Sequence, residues 1–148
     1  MGTVEAVFLR PSARTPVRSV DAANVLAGIG IEGDHAGGGK RQITILSREA
    51  WQQACRELGK ELDPSIRRAN VLVSGVDLAA TIGSTLRIGD VVIDVNGETR
   101  PCELMDDDGR VGLCATLQPD RRGGVHGIVR EGGSLRVGDP VVVEPPGA

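Results

Sequence analysis

The residues best suited to chemistry lie in one run, Thr99-Arg100-Pro101-Cys102-Glu103-Leu104-Met105. Pro101 fixes its own φ and biases Arg100 toward an extended backbone, so covalent geometry constrains where the next thiol points. Arg100 can bring positive charge near the sulfur of Cys102, and a nearby cation favours the thiolate, the form that acts as nucleophile or metal ligand. A reactive thiol and a small hydrophobe packed at a strand end both fit these residues. Two further stretches carry groups that could face an anion. The first, Gly28 to Arg41, is rich in glycine and ends in Lys40-Arg41. Its N–H groups and cations could hold an anion at a pocket rim, or it could be a plain surface loop. It has neither the glycine spacing of a dinucleotide fingerprint nor the Lys-Ser/Thr ending of a phosphate-binding loop. The second, Arg67-Arg68-Ala69-Asn70, reads either as a solvated turn or as guanidinium and amide contacts at a pocket mouth. His35 and His126 are the chain's two imidazoles, and either could serve Cys102 as a base. Neither lies in a protease signature, no nucleophile elbow is present, and ligand spacing for a structural zinc is missing.

The elements that must position these groups are mostly short strands. Thr3 to Arg10 alternates as a first strand, and Val17 to Ile31 holds a short strand or two. Gln42-Ile43-Thr44-Ile45-Leu46 reads as a strand leading into a helix with Ser47 as N-cap and Glu49 in the first turn. Trp51, Ala54, Cys55 and Leu58 then share one helical face, which assigns Cys55 to the core, and Gly59 stops the helix. Val71-Leu72-Val73-Ser74 reads as another strand. Thr85 to Ile93 is echoed by Ser134 to Val142, each copy with a Gly-Asp turn ahead of a β-branched run. Such units predict strands joined by tight reversals in a compact, barrel-like sheet. Pro140 belongs at an edge or bulge because it cannot donate to a ladder. Asp106-Asp107-Asp108 is a solvated loop, Leu113, Cys114 and Leu117 fit a helical face, and Gly123 to Arg130 enters the second copy. Residues 1–144 are expected to form one domain and 145–148 a disordered tail.

Composition narrows the function classes. With 21 glycines and only one Trp and one Phe, the core must be aliphatic. A net charge of −3 and the lack of an aromatic platform argue against nucleic-acid binding. No apolar run is long enough for a membrane span, and the N-terminus lacks the order of a secretory signal. Three unevenly spaced cysteines suit a reducing compartment, so the cytoplasm is expected.

Taken in order, Gly30-Ile31-Glu32-Gly33-Asp34, the Arg67-to-Asn70 block, Arg100-Pro101-Cys102-Glu103-Leu104-Met105, Gly124-Val125-His126-Gly127-Ile128-Val129 and the Val137-Gly138-Asp139 turn resemble the MOSC family. That family is named after the C-terminal domain of molybdenum cofactor sulfurase, and the resemblance runs from about Val17 to Glu144. It implies a mainly β fold with a few helices, a strongly bent barrel-like sheet, and a hallmark cysteine at Cys102. It also implies two jobs for that sulfur. Cys102 would carry a persulfide toward metal–sulfur or molybdenum cofactor maturation. Alternatively it would ligate molybdenum in a cofactor-binding reductase of N-hydroxylated compounds. A non-catalytic module that binds a cofactor or partner is the rival from another class. Arg100, Arg68, Lys40 and Arg41 are candidates for the anionic parts of the cofactor, Asn70 for a polar contact and His35 for proton transfer. The chain lacks the extra N-terminal domain of the larger reductases and the pyridoxal-phosphate domain of the sulfurase. Pyridoxal phosphate would therefore sit on a partner such as a cysteine desulfurase, and a homodimer could share the cofactor. Ala69 separates Arg68 from Asn70, whereas many relatives have the two residues adjacent.

Overall fold

The computed structural model describes residues 2–146. Gly147 and Ala148, half of the expected tail, lie outside the described residues. Eleven strands and two α-helices follow one another as β1 (Gly2–Leu9), β2 (Arg18–Val20), β3 (Ala22–Leu26), β4 (Gly30–Ile31), β5 (Ile43–Ser47), α1 (Arg48–Leu58), β6 (Val71–Ser74), β7 (Thr85–Ile88), β8 (Val91–Glu98), α2 (Leu113–Leu117), β9 (Val125–Glu131), β10 (Gly133–Arg136) and β11 (Pro140–Glu144). The main sheet runs β11-β7-β8-β9-β5-β6-β1-β2, and β11 also pairs with β1. That extra pairing closes seven strands into a barrel, with β2 attached outside it. Closure satisfies the ladder groups that an open edge would expose. All barrel pairings are antiparallel except β5 with β6, whose crossover carries α1. A small second sheet, β10-β3-β4, lies beside the barrel.

Period-two alternation separates two apolar cores. Ile43, Ile45, Val71, Val73, Leu86, Ile88, Ile93 and Val125 fill the barrel. Leu46 and Leu72 lie between them in sequence, so they face outward and meet Trp51, Ala54, Cys55, Met105, Leu113 and Leu117. The two helices thus cover one outer wall of the barrel. Local chemistry sets the ends of α1. Ser47 accepts a hydrogen bond from the Ala50 N–H at 3.1 Å, and Gly59 adopts the left-handed conformation (φ 78°) that L-residues resist. Cys55 is buried on this helix, as its spacing predicts. Among the described residues no helix is long and apolar enough to cross a membrane.

The two repeat copies take different roles. In the first, β7 and β8 form a hairpin with Arg87 opposite Val92. In the second, β10 leaves to pair with β3, while β11 joins β7 and β1. The Gly138-Asp139 reversal does form, with the Asp139 carboxylate accepting from the Arg136 N–H at 2.9 Å. The partner strands differ because β1 and β7 already flank the position β11 must fill to close the barrel. Pro140 is the first residue of β11 and not part of an edge strand, a place where its missing N–H costs little.

Trp51 anchors the outer core, with its ring buried and its indole N–H donated to the Leu62 carbonyl at 2.9 Å. Trp51→Ala should lower unfolding free energy by about 3–5 kcal/mol in urea titrations, the usual cost of deleting a buried aromatic. Val111→Ala, at a position 78% exposed, should change it by less than about 0.5 kcal/mol.

Candidate functional site

Cys102 owes its position to its neighbours. Pro101 before it and Met105 after it are buried, while Cys102, Glu103 and Leu104 are exposed. Met105 belongs to the outer core, and its N–H returns to the Cys102 carbonyl at 3.0 Å in a short 3-10 turn. The thiol is therefore solvent-accessible yet carried on a segment pinned at both ends.

The arginine block is shaped by a second 3-10 turn, Pro64–Arg67, which Asp63 caps by accepting from the Ser65 N–H at 2.8 Å. It ends at Arg68 in the left-handed region (φ 62°), uncommon for a residue with a Cβ. The reversal sends the two guanidiniums apart. Arg67 donates to the carbonyls of Gly123 at 2.9 Å and Thr99 at 2.7 Å. Arg68 donates to the Ser12 carbonyl at 2.8 Å and to that of Thr15. Gly123 is required where Arg67 crosses, since a Cβ there would lie 2.6 Å from the Thr99 carbonyl oxygen.

Beneath these groups lies a buried polar network. Arg10 grips Asp34 with two side-chain bonds, Nη2 to Oδ2 at 2.8 Å and Nε to Oδ1 at 3.2 Å, and adds its backbone N–H at 2.7 Å. Their side chains are only 13% and 1% exposed. Asn70 is fully buried beside them. Its amide donates to Asp34 at 3.2 Å, and its carbonyl accepts from the Thr44 N–H and hydroxyl at 3.0 and 3.1 Å. Burial pushes the Asp34 carboxyl up, but the bonds and charge of Arg10 outweigh it and hold the group below its ordinary value.

A cleft of about 540 Å³ opens above this layer, bordered by Arg10, Arg41, Arg67, Arg68, Arg100 and Cys102, with Thr99, Leu104 and Met105 among its walls. The structure thus brings Arg41, Arg68, Arg100 and Cys102 together. Lys40 and His35 are exposed and do not line the cleft. The Lys40 carbonyl accepts from Asn96 at 2.9 Å, and the His35 N–H goes to the Arg10 carbonyl at 2.8 Å. Asn70 lies behind the wall with its amide committed inside. His126 is also off the cleft, its Nδ1 2.6 Å from the Asn96 side-chain oxygen. Burial pushes its imidazole below its ordinary value, with Arg41 adding to the fall and the Lys40 carbonyl opposing it. No histidine therefore faces the thiol.

Arg100 borders the cleft together with Cys102, with its guanidinium largely in solvent. Its side chain is 83% exposed and its nearest carboxylate, Glu98, is 3.9 Å away. Arg67 is the less exposed cation on the same cleft. Burial pushes its guanidinium below its ordinary value, negative charge at Cys102 opposes the fall, and Arg41 adds to it. One more feature is unsatisfied. The Thr99 hydroxyl is buried in the cleft wall with no hydrogen-bond partner among the described residues. Arg10 is the site residue that sequence reading passes over. The one signal for Arg10 is a charge placed where the first strand runs out before Pro11.

A closed seven-stranded barrel with a pinned, exposed cysteine over an arginine-lined cleft defines the class. The model of the MOSC domain matches residues 32–142, and the chain belongs to the MOSC domain family. Among solved structures, it is similar to the YUAD protein from Bacillus subtilis, at 22% identity and a TM-score of 0.81 over 98% of this chain and 97% of that one. It is also similar to YiiM from Geobacillus stearothermophilus, at 14% identity and a TM-score of 0.78 over 97% of this chain and 75% of that one. YiiM from Escherichia coli follows at 18% identity and a TM-score of 0.72, over 95% and 69%. At these identities the likeness concerns the fold. A search of curated proteins finds no match.

Asp34→Asn should destabilise the protein by about 3 kcal/mol or more at neutral pH, because it leaves the buried Arg10 charge uncompensated. The stabilisation from a depressed carboxyl is complete above its unfolded value and is lost as pH falls through the folded one. The gap between wild type and Asp34→Asn in chemical denaturation should therefore be flat near neutrality and shrink below about pH 4. For the thiols, alkylation of the native protein followed by peptide mapping should modify Cys102 first and Cys55 last; the reverse order would contradict the placement of Cys102.

Proposed function

We propose that the protein is a sulfur carrier that acts through a persulfide on Cys102 and serves maturation of the molybdenum cofactor or a related metal–sulfur centre. The observation that carries this reading is the exposed Cys102 thiol, fixed between Pro101 and Met105 at the edge of a cleft lined by arginines. A carrier must present its sulfur to both a donor and an acceptor, and an accessible sulfur on a braced segment meets that need. Arg67, half-buried and held by the Gly123 and Thr99 carbonyls, borders the same cleft as Cys102.

The residues present also fit an anionic, oxygen-rich cargo. Arg41, Arg67 and Arg68 would hold the anionic part of the cofactor, the unpartnered Thr99 hydroxyl could bond to one of its oxygens, and Cys102 would face its metal–sulfur end. The molybdenum centre is a soft site that accepts sulfur donors. The donor we propose is a cysteine desulfurase that carries its own pyridoxal phosphate.

Incubation with a cysteine desulfurase and cysteine should add one sulfur to the intact protein by mass spectrometry, and a reductant should remove it. The addition should vanish in Cys102→Ala and persist in Cys55→Ala. Stoichiometric molybdenum in the isolated protein, with reduction of N-hydroxylated compounds and no persulfide, would overturn the carrier reading in favour of a reductase.

A further inference from the structure

The charge balance of the cleft points to what it receives. The chain as a whole is net negative, at −3, yet five guanidiniums border this one cleft. Asp34 neutralises Arg10, and Glu98 stands 3.9 Å from Arg100. Among the described residues, Arg41, Arg67 and Arg68 have no carboxylate partner. Arg67 and Arg68 are held by backbone carbonyls, which fix their direction without cancelling their charge. Arg41 is exposed, and its guanidinium makes no hydrogen bond among the described residues. Guanidinium forks match the spacing of oxygens on oxyanions. The Thr99 hydroxyl is a further group free to donate.

The chemistry the cleft lacks is equally informative. Neither histidine lines it, so no imidazole stands ready to move a proton at Cys102. A thiolate reaction here suits an electrophile whose leaving group departs as a stable anion without protonation.

We propose that Cys102 can take its sulfur directly from a small sulfane anion that ends in a sulfonate, of the thiosulfate class, with Arg41 and Arg67 holding the sulfonate oxygens. This rests on the persulfide reading above and names a donor for it. The Cys102 thiolate attacks the outer sulfur of thiosulfate and a new S–S bond forms. The S–S bond within thiosulfate breaks, and its electron pair leaves on the inner sulfur as sulfite. One thiolate and one thiosulfate dianion become one persulfide anion and one sulfite dianion, so charge balances with no proton, oxidant or reductant added. The negative charge that grows on the departing sulfite falls beside the guanidiniums, where preoriented cations stabilise it most.

The test uses the reduced full chain and thiosulfate alone. Intact-mass analysis should show one added sulfur, with one equivalent of sulfite released, and both signals should be absent in Cys102→Ala. Arg41→Gln removes a side chain with no structural bonds, so the variant should fold normally. Its rate of loading from thiosulfate should fall about tenfold or more, the loss expected for one charge-assisted hydrogen bond. Alkylation of Cys102 by the uncharged reagent iodoacetamide should slow by less than about twofold in the same variant. Loading from a cysteine desulfurase but not from thiosulfate would overturn this proposal and leave the carrier reading standing. Loading from neither would overturn both. Thiosulfate loading that Arg41→Gln leaves unchanged would overturn the assignment of the cleft as the recognition site.

Discussion

The buried Asn70 amide ties the loop after β4 to three neighbouring strands of the barrel. Through it and its neighbours Asp34 and Arg10, the start of β6, the strand β5, the exit of β1 and the loop after β4 converge on one polar cluster. Such a cluster is worth having only when nearly every member is satisfied, because a half-satisfied buried network costs more than an apolar one. Here the carboxylate of Asp34 meets two backbone N–H groups, a guanidinium and an amide. The left-handed turn at Arg68 sits directly above it, with its carbonyl 3.5 Å from Arg10. Alteration at Asp34 would therefore reach the arginines of the cleft without touching them.

Two kinds of support divide the labour at the site. Apolar burial fixes where the cysteine stands, through Pro101 and Met105. Hydrogen bonds to main-chain carbonyls fix where the cations stand, through Thr99, Gly123, Ser12 and Thr15. Carboxylates would have held the arginines as firmly, but they would have cancelled the field that an anion meets on approach.

Local rules made much of the fold legible. The Ser47 cap, the Trp51-Ala54-Cys55 face and the Gly59 stop are short-range and unambiguous, and so is the alternation that sends Ile43 inward and Leu46 outward. The duplicated Gly-Asp turns are legible as reversals, but a turn says nothing about which strand its second arm will meet, so the separate fates of β8 and β11 could not be read. The site was legible where its residues are contiguous, as around Cys102, and obscure where they meet across the chain. Arg67 and Arg68 are neighbours in sequence with opposite directions in space, because one residue's φ reverses the backbone. Lys40 and Arg41 part company for the simpler reason that successive side chains diverge as the chain enters β5. The partnership of Arg10 with Asp34 joins residues 24 apart, a pairing that no periodicity announces.

The closure of the barrel by β1 and β11 has a consequence for how the molecule comes into being. The first and last strands of the described chain are partners, with Gly2 opposite Val141. During synthesis β1 can join β2 and β6 early, but the start of β1, at Gly2 and Thr3, must wait for β11 until almost all of the described residues have left the ribosome. Pairings that span so much chain are slow to form and leave a strand edge open to wrong partners meanwhile. The helices against the outer wall need only the middle of the sequence, so the outer core can assemble first and hold an open, curved sheet ready for its last stave.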